Sequence, residues 1–178
     1  MLSKPAQIRL PPEVVLRPWK KSDAPQLAVI ANNKKIWDNL RDQIPYPYSL
    51  SDAEKWIAHC KTQRPVLNFA VVYNSEIAGS IGCLHKGDVY RKNMEIGYFI
   101  GEKFWNLGIA TEAVRILVDH ITKEFDVLRL HAEVYAQNKA SMQVLRNNGF
   151  YLEGIRRKSV IKNEVVLDDY VWVKLLDK

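Results

Sequence analysis

The clearest pattern of hydrophobic and polar positions lies between Ile109 and Phe125, where apolar residues recur every three or four positions. Such spacing places them on one side of an α-helix and leaves charged residues on the opposite side. We therefore predict an amphipathic helix that packs its apolar side against the core. The apolar positions are Ala110, Ala113, Val114, Leu117, Ile121 and Phe125, and the charged ones are Glu112, Arg115, Asp119 and Lys123.

The first third of the chain predicts a short strand followed by helices. Residues 1–12 contain three prolines and are typical of an extended tail. Further on, Ser51 followed by Glu54 has the spacing of a capping box, which favours a helix start. The predicted elements are a strand over 14–19, helices from Ser22 or Asp23 to Asn32 and over 34–40, and a helix from Asp52 to about Thr62.

After Pro65 the pattern changes to short β-rich runs separated by polar turns, which predicts an antiparallel meander. Its strands are NFAVVY, EIAGSIGCLH and NMEIGYFIG, and beyond the amphipathic helix follow a strand LRLHAEVY, a helix KASMQVLRNN ended by Gly149, and strands FYLEGIRR and VVLDDYVWVKLL. No repeat or linker interrupts this order. The sequence therefore predicts one α+β domain over residues 1–178.

Composition narrows the class of protein. A chain of 178 residues with 47% hydrophobic residues is long enough for a single core. No apolar run approaches the roughly 20 residues of a membrane-spanning helix, and the N-terminus lacks a signal-peptide core, so we expect a cytoplasmic protein with no membrane partner. Cys60 and Cys83 lack metal-ligand spacing, so we expect reduced thiols and no metal site.

The positive charge of the chain favours an anionic partner. The formal net charge is +6, but the Lys and Arg residues are spread along the sequence. Because no dense basic helix face or nucleic-acid-binding motif is present, we expect no direct nucleic-acid partner. A small phosphate-rich ligand would account for the same charge.

The start of the amphipathic helix, FWNLGIATEA, carries a glycine and uncharged residues instead of a strong side-chain cap. The first turn of a helix has free backbone N–H groups and a partial positive charge, which together favour a phosphate. Gly108 would let a ligand approach the backbone closely. Neither a Walker loop nor a GxGxxG fingerprint is present. The predicted phosphate cradle consists of Asn106, Leu107, Gly108, Ile109, Ala110 and Thr111.

The chain resembles the GNAT superfamily of acetyl-CoA-dependent N-acetyltransferases in two segments, EIGYFIGEKFWNLGIATEA and VYAQNKASMQVLRNNGFYLEG. It is most similar to the branch of ribosomal-protein N-terminal acetyltransferases, RimJ and RimL. In the superfamily motif Gln/Arg-x-x-Gly-x-Gly/Ala, Gly108 and Ala110 match, whereas Trp105 stands at the Gln/Arg position. The resemblance implies a single GNAT-like domain with a mixed, mostly antiparallel sheet of about seven strands, splayed in the middle and flanked by helices.

The resemblance also implies how acetyl-CoA is bound. The backbone of Tyr98, Phe99 and Ile100 would pair with the pantetheine arm, and the cradle would hold the pyrophosphate. Asn138 and Ser141 match the family's Asn-x-x-Ser, in which Asn contacts the cofactor arm and Ser protonates the leaving thiolate. Asn138 is also a good N-cap for the helix that follows it.

The catalytic base is less well defined. In RimL-like enzymes a glutamate follows the GF motif, but Val160 stands at that position here. Strand alternation places Glu95, Gly97 and Phe99 on one face beside the expected splay, so Glu95 is our candidate base. Asp168 matches an acidic position of the branch, and we expect it to bind substrate or to support the structure.

The acceptor side of the cleft is predicted to carry Trp37, Tyr46 and Tyr48, whose rings suit a peptide end or a small amine. We expect acetyl transfer to a primary amine, above all a protein or peptide N-terminal amine, by direct attack in a ternary complex. A homodimer is a further expectation. One alternative is a small-amine or antibiotic acetyltransferase with an anionic acceptor pocket, which the apparent lack of clustered acids disfavours. The other is a non-catalytic acyl-CoA-binding regulator.

Overall fold

A seven-stranded sheet organises residues 13–177, the part of the chain that the computed structural model describes. The predicted extended tail at residues 1–12 lies outside the described residues. The strand order is β1-β2-β3-β4-β5-β7-β6, and the neighbouring pairs are antiparallel except β4 and β5, which are parallel. The predicted α+β class and the mixed, mostly antiparallel sheet are confirmed. The strands are β1 (Val14–Pro18), β2 (Asn68–Tyr73), β3 (Glu76–His85), β4 (Asn93–Ile100), β5 (Arg129–Tyr135), β6 (Tyr151–Lys162) and β7 (Val165–Leu175).

Helices cover both faces of the sheet, and their sequence-based bounds need two corrections. The helix predicted over 34–40 ends at Trp37. The helix predicted from Asp52 begins at Leu50, because Ser49 and Asp52 form the capping box: the Ser49 hydroxyl accepts from the Asp52 N–H, and the Asp52 carboxylate accepts from the Ser49 N–H. The helices are α1 (Ala24–Ala31), α2 (Lys34–Trp37), α3 (Leu50–Thr62), α4 (Ile109–Glu124) and α5 (Lys139–Asn147).

The core confirms the amphipathic pattern of α4. Leu117, Val114 and Ile121 have no exposed surface, and they pack with apolar residues of the central strands. Burying each such side chain stabilises the fold by about 1.5–3 kcal/mol. A second apolar cluster, built around Leu27 and Ile57, joins α1 and α3 to the opposite face of the sheet. No helix among the described residues is long and apolar enough to cross a membrane.

The centre of the sheet is splayed, as the resemblance implies. Strands β4 and β5 pair at only three positions, Asn93 with Arg129, Met94 with Leu130 and Glu95 with His131. Beyond Glu95, residues 96–100 of β4 stay paired with β3 on one side but have no β5 partner on the other. Part of the β4 backbone edge therefore faces a cleft in the middle of the sheet.

Candidate active site

A cavity of about 880 Å³ opens where β4 and β5 separate. Residues of all strands except β1, of α1 and α3, of the start of α5 and of the α2–α3 loop (residues 38–49) line it. A volume of this size suits a small molecule or the end of a peptide. The predicted site residues that it brings together are Tyr48, Glu95, Tyr98, Phe99, Asn138 and Ser141.

The predicted phosphate cradle lies just beyond the carboxyl end of β4, outside the wall of this cavity. Gly108 immediately precedes α4 and has left-handed backbone angles, φ 78° and ψ 0°. Among the described residues no side chain caps α4. The N–H groups of its first turn have no intrahelical acceptor, and together with the helix dipole they favour an anion at this position. This geometry fits the pyrophosphate of acetyl-CoA.

Trp105 braces the cradle loop. Its indole Nε1 donates a hydrogen bond to the Ile100 carbonyl, at 2.7 Å, and so ties the loop to the last residue of β4. At this position the family motif carries a long polar side chain. Here the Trp105 side chain instead joins the backbone of the cradle loop to the backbone of β4. The departure of Trp105 from the motif therefore has a structural role.

Replacing Trp105 with phenylalanine should weaken acetyl-CoA binding several-fold, because the ring remains but the hydrogen bond to Ile100 is lost. Loss of one such bond costs about 1 kcal/mol. Isothermal calorimetry with acetyl-CoA measures the loss of affinity, and thermal denaturation measures the loss of stability. Tyr90→Phe, at an exposed ring outside the cavity wall, is the matched control. Unchanged affinity in Trp105→Phe would contradict the bracing role.

Ser141 and Tyr98 form a hydrogen-bonded pair on the α5 side of the cleft. The Tyr98 hydroxyl lies 2.9 Å from Ser141 Oγ and 3.2 Å from the Ser141 carbonyl oxygen. Burial raises the pKa of the Tyr98 phenol, so it keeps its proton. The Asn138 Oδ1 accepts from the Ser141 N–H at 3.1 Å, which confirms Asn138 as the N-cap of α5 and leaves its NH₂ group for other contacts.

Glu95 lies beside the splay as expected, but both of its carboxylate oxygens are occupied. Oε1 pairs with Arg41, and Oε2 accepts from Lys86 Nζ at 2.6 Å. Burial alone would raise the pKa of Glu95, but the Lys86 hydrogen bond and the charges of Arg41 and Lys86 outweigh it and lower the pKa below its ordinary value. A carboxylate in this state is a weak proton acceptor.

Three strands each contribute one acid to the cavity wall, and we call Glu95, Glu133 and Asp169 the carboxylate row. The side chain of Arg41 contacts both Glu95 and Glu133, and Arg156 contacts both Glu133 and Asp169. The expectation that the chain has few clustered acids is therefore wrong. These residues are far apart in sequence, but the order β4-β5-β7 places them side by side.

The aromatic residues predicted for the acceptor side divide into two groups. Tyr48 lines the cavity, and burial raises the pKa of its phenol to about 12. Trp37 and Tyr46 do not line it: their rings stack with centroids 5.4 Å apart, and Lys162 Nζ lies 3.3 Å from the Trp37 ring centroid. Tyr46 belongs to the α2–α3 loop, and its contact with Trp37, together with the hydrogen bond from Trp37 Nε1 to the Ile44 carbonyl, ties this loop to α2.

Asp168 is not brought to the cavity either. It pairs with Arg157 at 2.7 Å and accepts from the Lys158 N–H at 2.9 Å, within the β6–β7 hairpin. Its neighbour Asp169 lines the cavity instead, because successive residues of a strand point to opposite faces. The sequence-based prediction named Asp168, whereas the acid that lines the cavity is Asp169.

Sequence reasoning also missed Arg41 and Glu133. Arg41 lies in an irregular loop, where no periodic pattern fixes its direction. Glu133 follows His131 at the two-residue spacing of a strand, but the register that pairs His131 with Glu95 is known only from the folded sheet. That register places Glu133 on the same face as Glu95, one step further into the splay.

Comparison with known proteins gives an independent result. The family described as the acetyltransferase (GNAT) domain matches residues 13–151. The ribosomal-protein-serine acetyltransferase of Escherichia coli is 27% identical over 109 residues, 61% of this chain and 60% of that protein. The spermidine N(1)-acetyltransferase of Escherichia coli is 26% identical over 145 residues, 79% of this chain and 74% of that protein.

Among solved structures, the microcin C7 self-immunity acetyltransferase MccE, in complex with acetyl-CoA and AMP, superposes with a TM-score of 0.79 at 25% identity, covering 92% of this chain and 93% of that one. The chain spans 42% to 60% of the length of the first curated relatives it matches.

Proposed function

Because the chain belongs to the GNAT acetyltransferase family, we propose that it transfers an acetyl group from acetyl-CoA to a primary amine. The observation that carries this proposal is the continuity of the splay with the cradle. The open edge of β4 leads directly to the uncapped start of α4 at Gly108. One extended ligand with a hydrogen-bonding arm and a pyrophosphate fits both features.

Acetyl-CoA would supply the acyl carbonyl and a thiolate leaving group. The backbone donors of residues 106–111 hold the pyrophosphate, and the edge of Tyr98, Phe99 and Ile100 orients the arm. The NH₂ group of Asn138 offers a further contact at the cleft. Ser141 Oγ gives a proton to the departing sulfur, and the Tyr98 hydroxyl holds that serine in place. Positioning supplies much of the catalysis in such a site.

We propose a protein or peptide N-terminal amine as the acceptor. The cavity is wide enough for a peptide end, and Tyr48 gives it an amphipathic wall. The ribosomal-protein-serine acetyltransferase among the relatives supports this class. Glu95 anchors Arg41 and Lys86 at the rim, while Trp37, Tyr46 and Asp168 support the surrounding loop and hairpin.

A small polyamine is the second candidate acceptor, because the carboxylate row gives the cavity an anionic wall. The row is partly neutralised by Arg41 and Arg156, which favours a single ammonium over a polycation. The spermidine acetyltransferase among the relatives supports this alternative.

A thiol-release assay with acetyl-CoA separates these readings. One panel contains hexapeptides that differ in their N-terminal residue, each with an N-acetylated copy as its control, and the other contains spermidine, spermine and simple alkylamines. We expect turnover of free N-termini and none of the blocked copies. Turnover confined to polyamines would replace the peptide acceptor, and cofactor binding without any turnover would indicate a regulator.

A further inference from the structure

Asp169 is a buried carboxylate that takes no part in binding acetyl-CoA or in protonating the sulfur. Only 2% of the residue is exposed, although it borders the cavity. Its Oδ2 lies 3.5 Å from Arg156 Nη1, and its Oδ1 has no hydrogen-bond partner among the described residues. A buried oxygen without a donor costs about 1–3 kcal/mol, and a ligand that supplies a donor would recover this cost.

The other unpartnered atom on the cavity wall is of the same kind. Among the described cavity-lining residues, the buried side-chain atoms without partners are Asp169 Oδ1 and Asn39 Oδ1. The Asn39 amide is oriented by its NH₂ group, which donates to the Lys35 carbonyl at 3.0 Å. Both free atoms are acceptors. The wall therefore fits a ligand rich in donors, and an ammonium group has three donors and no acceptor.

The charges around Asp169 make it a better proton acceptor than Glu95. Burial and then the charge of Glu133 raise the pKa of Asp169, against the opposing charges of Arg156 and Arg41. The corresponding balance at Glu95 lowers its pKa. The charged and titratable groups that face Asp169 are Glu95 on β4, Glu133 and Tyr135 on β5, Arg156 on β6 and Arg41 on the α2–α3 loop.

We propose that Asp169 is the catalytic base, whose Oδ1 binds the ammonium group of the acceptor and takes one proton from it. This inference rests on the proposed function. The neutral amine then attacks the acetyl carbonyl, so that a C–N bond forms and the C–S bond breaks. As the amide forms, the nitrogen loses a second proton to solvent, the thiolate takes a proton from Ser141 Oγ, and Ser141 regains a proton from solvent. The proton on Asp169 passes to solvent, and the carboxylate is restored.

The test is the pH dependence of kcat/KM in Asp169→Asn, measured by thiol release with the best acceptor of the panels. In the wild type kcat/KM should fall as the pH drops through the raised pKa of Asp169. In the variant we expect a loss of about a hundredfold at pH 7. The difference in kcat/KM between the wild type and the variant should narrow as the pH approaches the pKa of the acceptor amine, because more of the amine is then neutral in solution. Affinity for acetyl-CoA should not change.

Glu153→Gln is the matched control, because Glu153 on β6 also pairs with an arginine, Arg129 on β5, but lies outside the cavity wall. It should keep wild-type kcat/KM.

Thermal stability adds a second readout. A raised folded-state pKa means that Asp169 contributes stability at low pH and loses it as the pH rises through that pKa. Asp169→Asn should therefore melt at pH 7 at the same temperature as the wild type or higher.

Two results would overturn the role of Asp169 but leave the proposed function intact. One is that Asp169→Asn has the kcat/KM and the pH profile of the wild type. The other is that the variant loses the same factor in kcat/KM at every pH and melts at a lower temperature, which would indicate that Asp169 only stabilises the structure. Failure of the wild type to turn over any amine would overturn the proposed function and its base together. These outcomes are distinguishable because the wild type is assayed first on the same panels.

Discussion

Replacing Gly108 with glutamate should lower the affinity for acetyl-CoA more than a hundredfold while the fold survives. A side chain at this position must adopt a left-handed backbone, which costs roughly 1–2 kcal/mol. Its carboxylate would also lie where we propose that the first turn of α4 binds the pyrophosphate, and like charges repel there. The same carboxylate is favourable for the helix itself, because negative charge stabilises a helix N-terminus. Isothermal calorimetry with acetyl-CoA and with CoA measures the loss.

Two companion variants separate the causes. Gly108→Asn introduces a side chain that tolerates left-handed angles without adding charge, so its affinity should lie between those of the wild type and Gly108→Glu. Gly87→Glu adds the same charge at a glycine with open space around it and should bind acetyl-CoA normally. Unchanged affinity in Gly108→Glu would remove the phosphate site from residues 106–111.

Ser141→Ala should reduce kcat by about a hundredfold or more, with little change in the dissociation constant of acetyl-CoA. The reason is that the departing sulfur loses its proposed proton donor, and general acid catalysis contributes about 10²–10⁴-fold. Tyr98→Phe should give a smaller loss, because Ser141 keeps its hydroxyl but loses the hydrogen bond that orients it. Rapid-mixing and steady-state thiol release, together with calorimetry, separate the rate from the affinity.

The double variant tests whether the two hydroxyl groups act as a unit. If Tyr98 works through Ser141, Tyr98→Phe should have almost no further effect in the Ser141→Ala background. Additive losses would mean that Tyr98 acts independently. Wild-type kcat in Ser141→Ala would leave that serine only its place in the first turn of α5.

The parts of the site that could be predicted from sequence are those built from neighbouring residues. The strand β4, the loop with Gly108 and the helix α4 are continuous, so local periodicity and the glycine were enough to place them. The N-cap role of Asn138 is equally local, since its partner is the Ser141 N–H three residues away.

The carboxylate row could not be predicted in this way. Glu95, Glu133 and Asp169 meet only because β7 is inserted beside β5, ahead of β6, in the sheet order. Choosing between Asp168 and Asp169 requires the phase of strand alternation, which one shifted residue reverses. The start of α3 shows the same sensitivity at short range: Ser49 and Ser51 both have an acid three residues later, and the structure uses Ser49.

The splay also affects the aggregation and the stability of the protein. Residues 96–100 expose a strand edge in the interior of the sheet, and unpaired edges are where chains add to one another and aggregate. A ligand that lies along this edge occupies it as a strand would. At a concentration a hundred times its dissociation constant, such a ligand adds about 2.7 kcal/mol to the stability of the folded state. Bound acetyl-CoA would therefore both cover this edge and stabilise the folded state, so the melting temperature should rise with the concentration of acetyl-CoA.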